Sequence, residues 1–138
     1  MPTLPPTPVP WEETLDGTLG VELLEWTPDM ARGRVAVRDA LKQPYGLVHG
    51  GVFCSIAESI ASIATAAAVY DDGMIATGMS NDTSFIRPVT DGYVNTEARC
   101  RHRGRTTWVW ELDHTDDQGR LCAISRVTMA VRPRPEGA

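Results

Sequence analysis

Residues 51–70 read G-V-F-C-S-I-A-E-S-I-A-S-I-A-T-A-A-A-V-Y, and the placement of this run decides the fold. It carries one charge, Glu58, and no Lys or Arg. Gly50 and Gly51 stand at its front and Asp71-Asp72-Gly73 close it, so the run reads as a single helix. Its length would also suffice to cross a bilayer. Alanine and serine make it only weakly apolar, however, Glu58 sits near its middle, and no basic flank marks a cytoplasmic side. A helix apolar all round is otherwise a core helix enclosed by other structure. Glutamate is rarely fully buried without a partner, which makes Glu58 the residue to explain.

The flanking segments read as strands. Before the helix, Leu19–Trp26 reads as one strand, closed by Thr27-Pro28-Asp29, and Ala31–Arg38 alternates as a second. After it, Met74–Ser80 and Thr83–Arg87 form one long, bent strand. Gly92–Arg103 sets Val94, Thr96, Ala98, Cys100 and His102 on one face. Thr106–His114 sets Trp108, Trp110 and Leu112 inside, with His114 read at the surface. Arg120–Arg132 turns Leu121, Ala123, Val127, Met129 and Val131 inward. Thr90-Asp91-Gly92 and Asp116-Asp117-Gln118-Gly119 suit antiparallel connections. A helix without a polar face needs wrapping on most sides, and a single curved antiparallel sheet can supply that. The expected class is α+β, with the outer sheet face partly exposed and available for dimerisation.

At 138 residues the chain is one domain, expected over 13–134, between a proline-rich flexible tail (1–12, five prolines in the first ten residues) and a short tail (135–138). The N-terminus has neither the basic nor the apolar region of a signal peptide. A net charge of −5 argues against a nucleic-acid partner, and no membrane partner is expected. Lysine occurs once, at Lys42, so arginine carries nearly all the positive charge. That suits bidentate phosphate recognition, or reflects only a coding bias towards Ala, Arg, Gly and Pro. Cys54, Cys100 and Cys122 are odd in number and lack metal-site spacing, which fits packing roles in a reducing cytoplasm.

The motif Gln43-Pro44-Tyr45-Gly46-Leu47-Val48-His49-Gly50-Gly51, followed by Glu58 and Ser62, resembles the hotdog-fold acyl-CoA thioesterases. Within them it is most similar to the Arthrobacter-type 4-hydroxybenzoyl-CoA thioesterase branch, and also resembles the 1,4-dihydroxy-2-naphthoyl-CoA and phenylacetate-pathway thioesterases. Similarity runs from about Glu13 to the C-terminus, through Ser84-Phe85-Ile86-Arg87-Pro88 and Thr106-Thr107-Trp108. The resemblance implies hydrolysis of an aromatic acyl-CoA to free acid and CoA, with no metal and no cofactor beyond the CoA of the substrate. It implies that Glu58 acts as nucleophile or as general base. The resemblance further implies that the backbone N–H of Gly50 polarises the thioester carbonyl and that Gln43 and His49 shape that site. It also implies active sites shared across a homodimer, in a dimer of dimers. Asp82 stands where the hydroxybenzoyl-type relative has His.

Physical chemistry supports these roles and leaves alternatives open. A helix N-terminus offers unpaired N–H groups and about half a positive charge to an oxyanion. Two glycines admit a close carbonyl at Gly50 and Gly51, or merely permit a tight turn. A poorly solvated carboxylate at Glu58 is a better base and nucleophile; the alternative is a side chain reaching solvent at a helix edge. Ser62 lies at i+4 on the same face, to hold water or carboxylate or simply to pack. Glu58 stands about 10 Å along the axis from Gly51 at 1.5 Å per residue, too far for one thioester carbon to meet both within one chain. Arg87, Arg105, Thr106, Thr107 and Arg134 are the candidates to hold CoA phosphates, with Gly51 at the carbonyl end. Cross-strand pairing with Glu97, Glu111 and Asp113 is the competing reading for Arg99 and Arg101. Trp108 and Trp110 read as packing rather than as an acyl pocket. The alternative functions are an acyl-thioester hydratase or dehydratase, which would centre on a catalytic His, and a non-catalytic acyl-CoA-binding protein.

Overall fold

Six strands form one antiparallel sheet: β1 (Glu22–Trp26), β2 (Met30–Ala36), β3 (Met74–Phe85), β4 (Tyr93–Arg103), β5 (Thr107–Thr115) and β6 (Leu121–Pro133). Their spatial order is β1-β2-β4-β5-β6-β3. A short helix α1 (Leu15–Leu19) precedes the sheet, and the long helix α2 (Gly50–Val69) connects β2 to β3. The computed structural model describes residues 1–136; residues 137 and 138, within the expected C-terminal tail, lie outside the described residues.

α2 fills the concave face of the sheet. Val52, Phe53, Ile56, Ala57, Ile60, Ala61, Ala64, Thr65, Ala67 and Val69 are buried along it. Val35, Val94, Ala98, Trp110, Leu112, Val127 and Met129 meet them from the strands. Burying one Ile or Leu side chain contributes about 1.5–3 kcal/mol, and this contact buries several of them. Gly33 on β2 is required for the approach, because a Cβ there would lie 2.9 Å from Ile60 Cδ1. Trp110 is fully buried, its indole N–H donating to Thr65 Oγ1 at 2.9 Å. The stretch Gly50–Asp72 is long and apolar enough to cross a bilayer by length and composition alone; here it is the core helix. Contrary to the reading of the sequence, it is not apolar all round. Cys54, Ser55, Glu58, Ser59 and Ser62 form a half-exposed stripe.

Two further sequence expectations need correction. The strand expected over Leu19–Trp26 starts only at Glu22, because Thr14-Leu15-Asp16-Gly17-Thr18-Leu19-Gly20 is a capped helical turn. Thr14 Oγ1 accepts from Gly17 N at 3.3 Å, and Gly20 closes the turn at φ 78°, the left-handed stop glycine supplies most readily. His114, expected at the surface, is fully buried. It continues the inward series Trp108, Trp110, Leu112 and makes an edge contact with Phe53, ring centroids 5.5 Å apart. Its neutral form is kept inside by Thr96 Oγ1 at 2.7 Å from Nδ1 and Ser125 Oγ at 2.9 Å from Nε2.

Burial lowers the His114 pKa from 6.5 to about 4, opposed in part by neighbouring Asp113. The unfolded chain therefore binds the extra proton between these values, and stability from this group is full above pH 6.5 and lost as pH falls towards 4. The expected loss across that window is about 3 kcal/mol. Urea unfolding at pH 7 and pH 4.5 checks it, with His114→Gln flattening the difference.

The edges of the sheet differ. β3 pairs only with β6 and leaves its other side open, with Met79, Phe85 and Ile86 exposed on and just beyond it. At the opposite edge Trp26 N donates to Met1 Sδ at 3.3 Å and Trp26 Nε1 to Pro2 O at 2.7 Å. Met1 and Pro2 thus lie against Trp26, the last residue of β1, and a 3₁₀ turn at Trp11–Glu13 leads into α1.

Candidate active site

The start of α2 is built by its own cap. His49 is the N-cap, and its Nδ1 accepts from Gly51 N at 2.8 Å, which leaves the ring proton on Nε2. Val52 N is taken by His49 O at 2.9 Å. The Gly50 N–H has no protein acceptor among the described residues. It is thus the free donor at the positive end of a 20-residue helix. Phe85 occupies the space that a Gly50 side chain would take, with Cζ 2.9 Å from the position of a Cβ. Upstream, Gly46 at φ 93° closes a turn in which Gly46 N donates to Gln43 O at 3.0 Å and Gln43 Oε1 accepts from Tyr45 N.

Gln43, Gly50 and Arg87 line one cleft of about 580 Å³, walled by Leu47, Val48, Phe53, Phe85, Ile86 and Pro88. His49 and Gly51 face a different depression, shared with Leu41 and Ser55. Glu58 lies in neither. It is half-buried in a hollow of about 270 Å³ with Leu15, Cys54, Ser55, Ser59 and Asn81. The expected site residues are therefore divided along α2 within one chain, as the axial spacing requires.

Glu58 has two neighbours that its sequence context does not reveal. Asn81 Nδ2 donates to Glu58 Oε2 at 3.4 Å and to Cys54 O at 2.9 Å. Gly78 makes room for the carboxylate: a Cβ there would lie 1.9 Å from Oε1. The β3–β6 register shifts between Gly78 and Ser80, and such bulges re-aim side chains beside active sites. A lone glycine within a strand pattern is the one sequence signal for this feature. Ser62 does not join them; its hydroxyl points to Met129 Sδ at 3.7 Å. Gly78→Ala is expected to leave folding intact, since only the far end of Glu58 must move, while displacing the carboxylate. Misplacing a reacting group by 1 Å can cost about 10²-fold in rate, and kcat beside an unchanged melting temperature is the measurement.

The candidate CoA contacts fall at three places. Arg87 is exposed beside the Gly50 cleft. Arg105 and Thr106 lie in the β4–β5 turn and Thr107 opens β5; Thr106 O accepts from Val131 N at 2.9 Å and from Arg132 Nη1 at 2.7 Å. Arg134 lies 4.2 Å over the Tyr70 ring and donates to Tyr70 O at 3.4 Å, so it caps the C-terminal end of α2. Arg99 and Arg101 follow the competing reading: Arg99 pairs with Asp113 at 3.3 Å and Arg101 with Glu111 at 3.6 Å.

A curved six-stranded sheet around one long helix, with His-Gly-Gly at the helix start and a carboxylate two turns in, is the hotdog architecture of thioester hydrolases. The family model described as the thioesterase superfamily matches residues 45–123, and the chain belongs to that superfamily of enzymes. The Mycobacterium tuberculosis protein Rv1847 is 39% identical over 91% of this chain and 92% of its own. Its structure superposes with a TM-score of 0.83 over 87% of this chain and 98% of that one. The 1,4-dihydroxy-2-naphthoyl-CoA hydrolase of Listeria monocytogenes is 32% identical over 87% of this chain and 97% of its own. The Staphylococcus aureus thioesterase SAV0944 superposes at TM-score 0.83 with 27% identity, covering 86% of this chain and 98% of its own. Its structures include one with a glutamine and one with a glutamate replaced by alanine, fifteen positions apart.

Proposed function

We propose that the enzyme hydrolyses an aromatic acyl-CoA to the free acid and CoA at a site shared by two copies of the chain. The observation that carries this reading is the division of the site: the free Gly50 N–H and the Gln43 cleft stand at one place along α2, Glu58 at another. A twofold axis across the open β3 edge pairs two β3 strands antiparallel and so sets the two α2 helices antiparallel. The start of one helix then approaches the middle of the other. The thioester carbonyl oxygen lies against the partner's Gly50 N–H, at the positive helix end, where the tetrahedral oxyanion is stabilised as it forms. Glu58 either attacks the carbonyl carbon, forming an anhydride that water opens, or takes a proton from the attacking water. In both routes the C–S bond breaks and the CoA thiolate leaves.

The separation of Gln43 and Glu58 is fifteen positions, the same as between the glutamine and glutamate replaced in SAV0944. An aromatic acyl group suits the walls of the Gly50 cleft, where Phe53 and Phe85 stand with centroids 6.1 Å apart. The naphthoyl-CoA activity in the name of the Listeria relative points the same way. Asp82 in place of histidine favours a substrate other than 4-hydroxybenzoyl-CoA. The test is release of CoA thiol, detected with DTNB, from benzoyl-, 4-hydroxybenzoyl-, phenylacetyl-, dihydroxynaphthoyl- and hexadecanoyl-CoA. Aryl substrates are expected to exceed the fatty one by at least about tenfold in kcat/KM, about 1.4 kcal/mol of discrimination. Equal rates overturn the aromatic preference, and no hydrolysis of any member overturns the reading itself.

A further inference from the structure

A row of polar side chains crosses the apolar core and ends on Glu58. Thr96 of β4, His114 of β5, Ser125 of β6 and Thr83 of β3 lie on four neighbouring strands. Thr96 is paired with His114 and Ser125 with Thr83 across their ladders. The contacts run Thr96 Oγ1 to His114 Nδ1 (2.7 Å), His114 Nε2 to Ser125 Oγ (2.9 Å), Ser125 Oγ to Thr83 Oγ1 (2.8 Å) and Thr83 Oγ1 to Asn81 Oδ1 (2.8 Å). Asn81 then reaches Glu58 Oε2 and Cys54 O.

The protons in this row admit one order. Cys54 O and the Glu58 carboxylate are acceptors only, so the Asn81 amide turns Nδ2 towards them and Oδ1 towards Thr83. Thr83 spends its single proton on Oδ1 and must accept from Ser125. Ser125 in turn must accept from His114 Nε2–H, and the neutral ring leaves Nδ1 to accept from Thr96. Aligned donors polarise one another along such a chain. Burying three of these groups in an apolar core costs free energy unless each is satisfied. Among the described residues no buried side-chain nitrogen or oxygen lacks a partner.

We infer that Thr83, Ser125 and His114 are positioning residues, which hold Asn81 in the one amide orientation that donates to Glu58 and so fix the carboxylate for attack. This rests on the role given to Glu58 above. Thr83 is the point to break the row, since Thr83→Val keeps the shape and removes the hydroxyl, while Thr83→Ser restores it.

The experiment measures kcat and KM for the fastest acyl-CoA of the panel with Thr83→Val and Thr83→Ser. Each is made alone and in an Asn81→Ala background, alongside Glu58→Ala. Thr83→Val is expected to lower kcat about tenfold with KM within twofold, and Thr83→Ser to stay within twofold of the parent. In the Asn81→Ala background Thr83→Val should have no further effect, because the residue it acts through is already gone. Full kcat in Thr83→Val, a loss that Thr83→Ser shares, or an equal further loss in the Asn81→Ala background overturns the inference. If Glu58→Ala keeps its activity, the reading of Glu58 falls and this inference with it. If Glu58→Ala is inactive and Thr83→Val is not impaired, only the positioning role fails.

Discussion

Glu58→Ala is expected to lower kcat by about 10²–10⁴-fold while KM stays within a few-fold, the range for losing a general base or nucleophile. Binding should survive because Glu58 lies apart from the cleft that holds Gln43, Arg87 and the aromatic walls. The fold should survive too. Glu58 is half-buried, meets Asn81 through one long contact of 3.4 Å, and sits on a helix whose core positions belong to Ile56, Ala57, Ile60 and Ala61. Steady-state kinetics on the best acyl-CoA, with a thermal melt beside them, check both halves. Turnover at the parent's rate would remove Glu58 from the mechanism.

Mixing Glu58→Ala with Gly50→Pro, two inactive variants, should recover about a quarter of native activity after random subunit exchange, because one of two sites in each heterodimer is then intact. Proline suits this test. Gly50 is the first residue of α2, where proline fits the backbone and deletes the N–H in question. The added ring atoms must displace Phe85, whose Cζ lies 2.9 Å from the position of a Cβ. Gly50→Ala, which adds a Cβ but keeps the N–H, measures that cost separately. Zero recovery in verified heterodimers would mean that Gly50 and Glu58 do not serve one substrate across an interface.

Much of the fold was legible because a helix with one charge in twenty residues has few places to go. Period-two segments on both sides of it leave a wrapped sheet as the remedy. The capped turn Thr14–Gly20 was misread because strand alternation was followed back past a Gly that stops a helix. His114 was misread for a different reason. The i+2 series through Trp108, Trp110 and Leu112 already pointed it inward, but Glu111, Asp113, Asp116 and Asp117 around it made the segment look solvated. At the site, Gln43, His49, Gly50 and Glu58 follow one another in sequence as a motif. Gly78 and Asn81 do not, since their contact with Glu58 exists only once β3 crosses α2. Arg134 illustrates the converse: its type suits a phosphate, and only the packed structure reveals Tyr70 beneath it.

The hydrogen bonds from Trp26 to Met1 and Pro2 have a bearing on assembly size. A sheet with two vacant margins could accrete copies without limit. Here Met1 and Pro2 sit against Trp26 at one margin while β3 is bare, so the proposed union across β3 would meet an occupied position, not a second bare strand, at the far side. Deleting those residues should promote higher-order aggregates rather than change turnover.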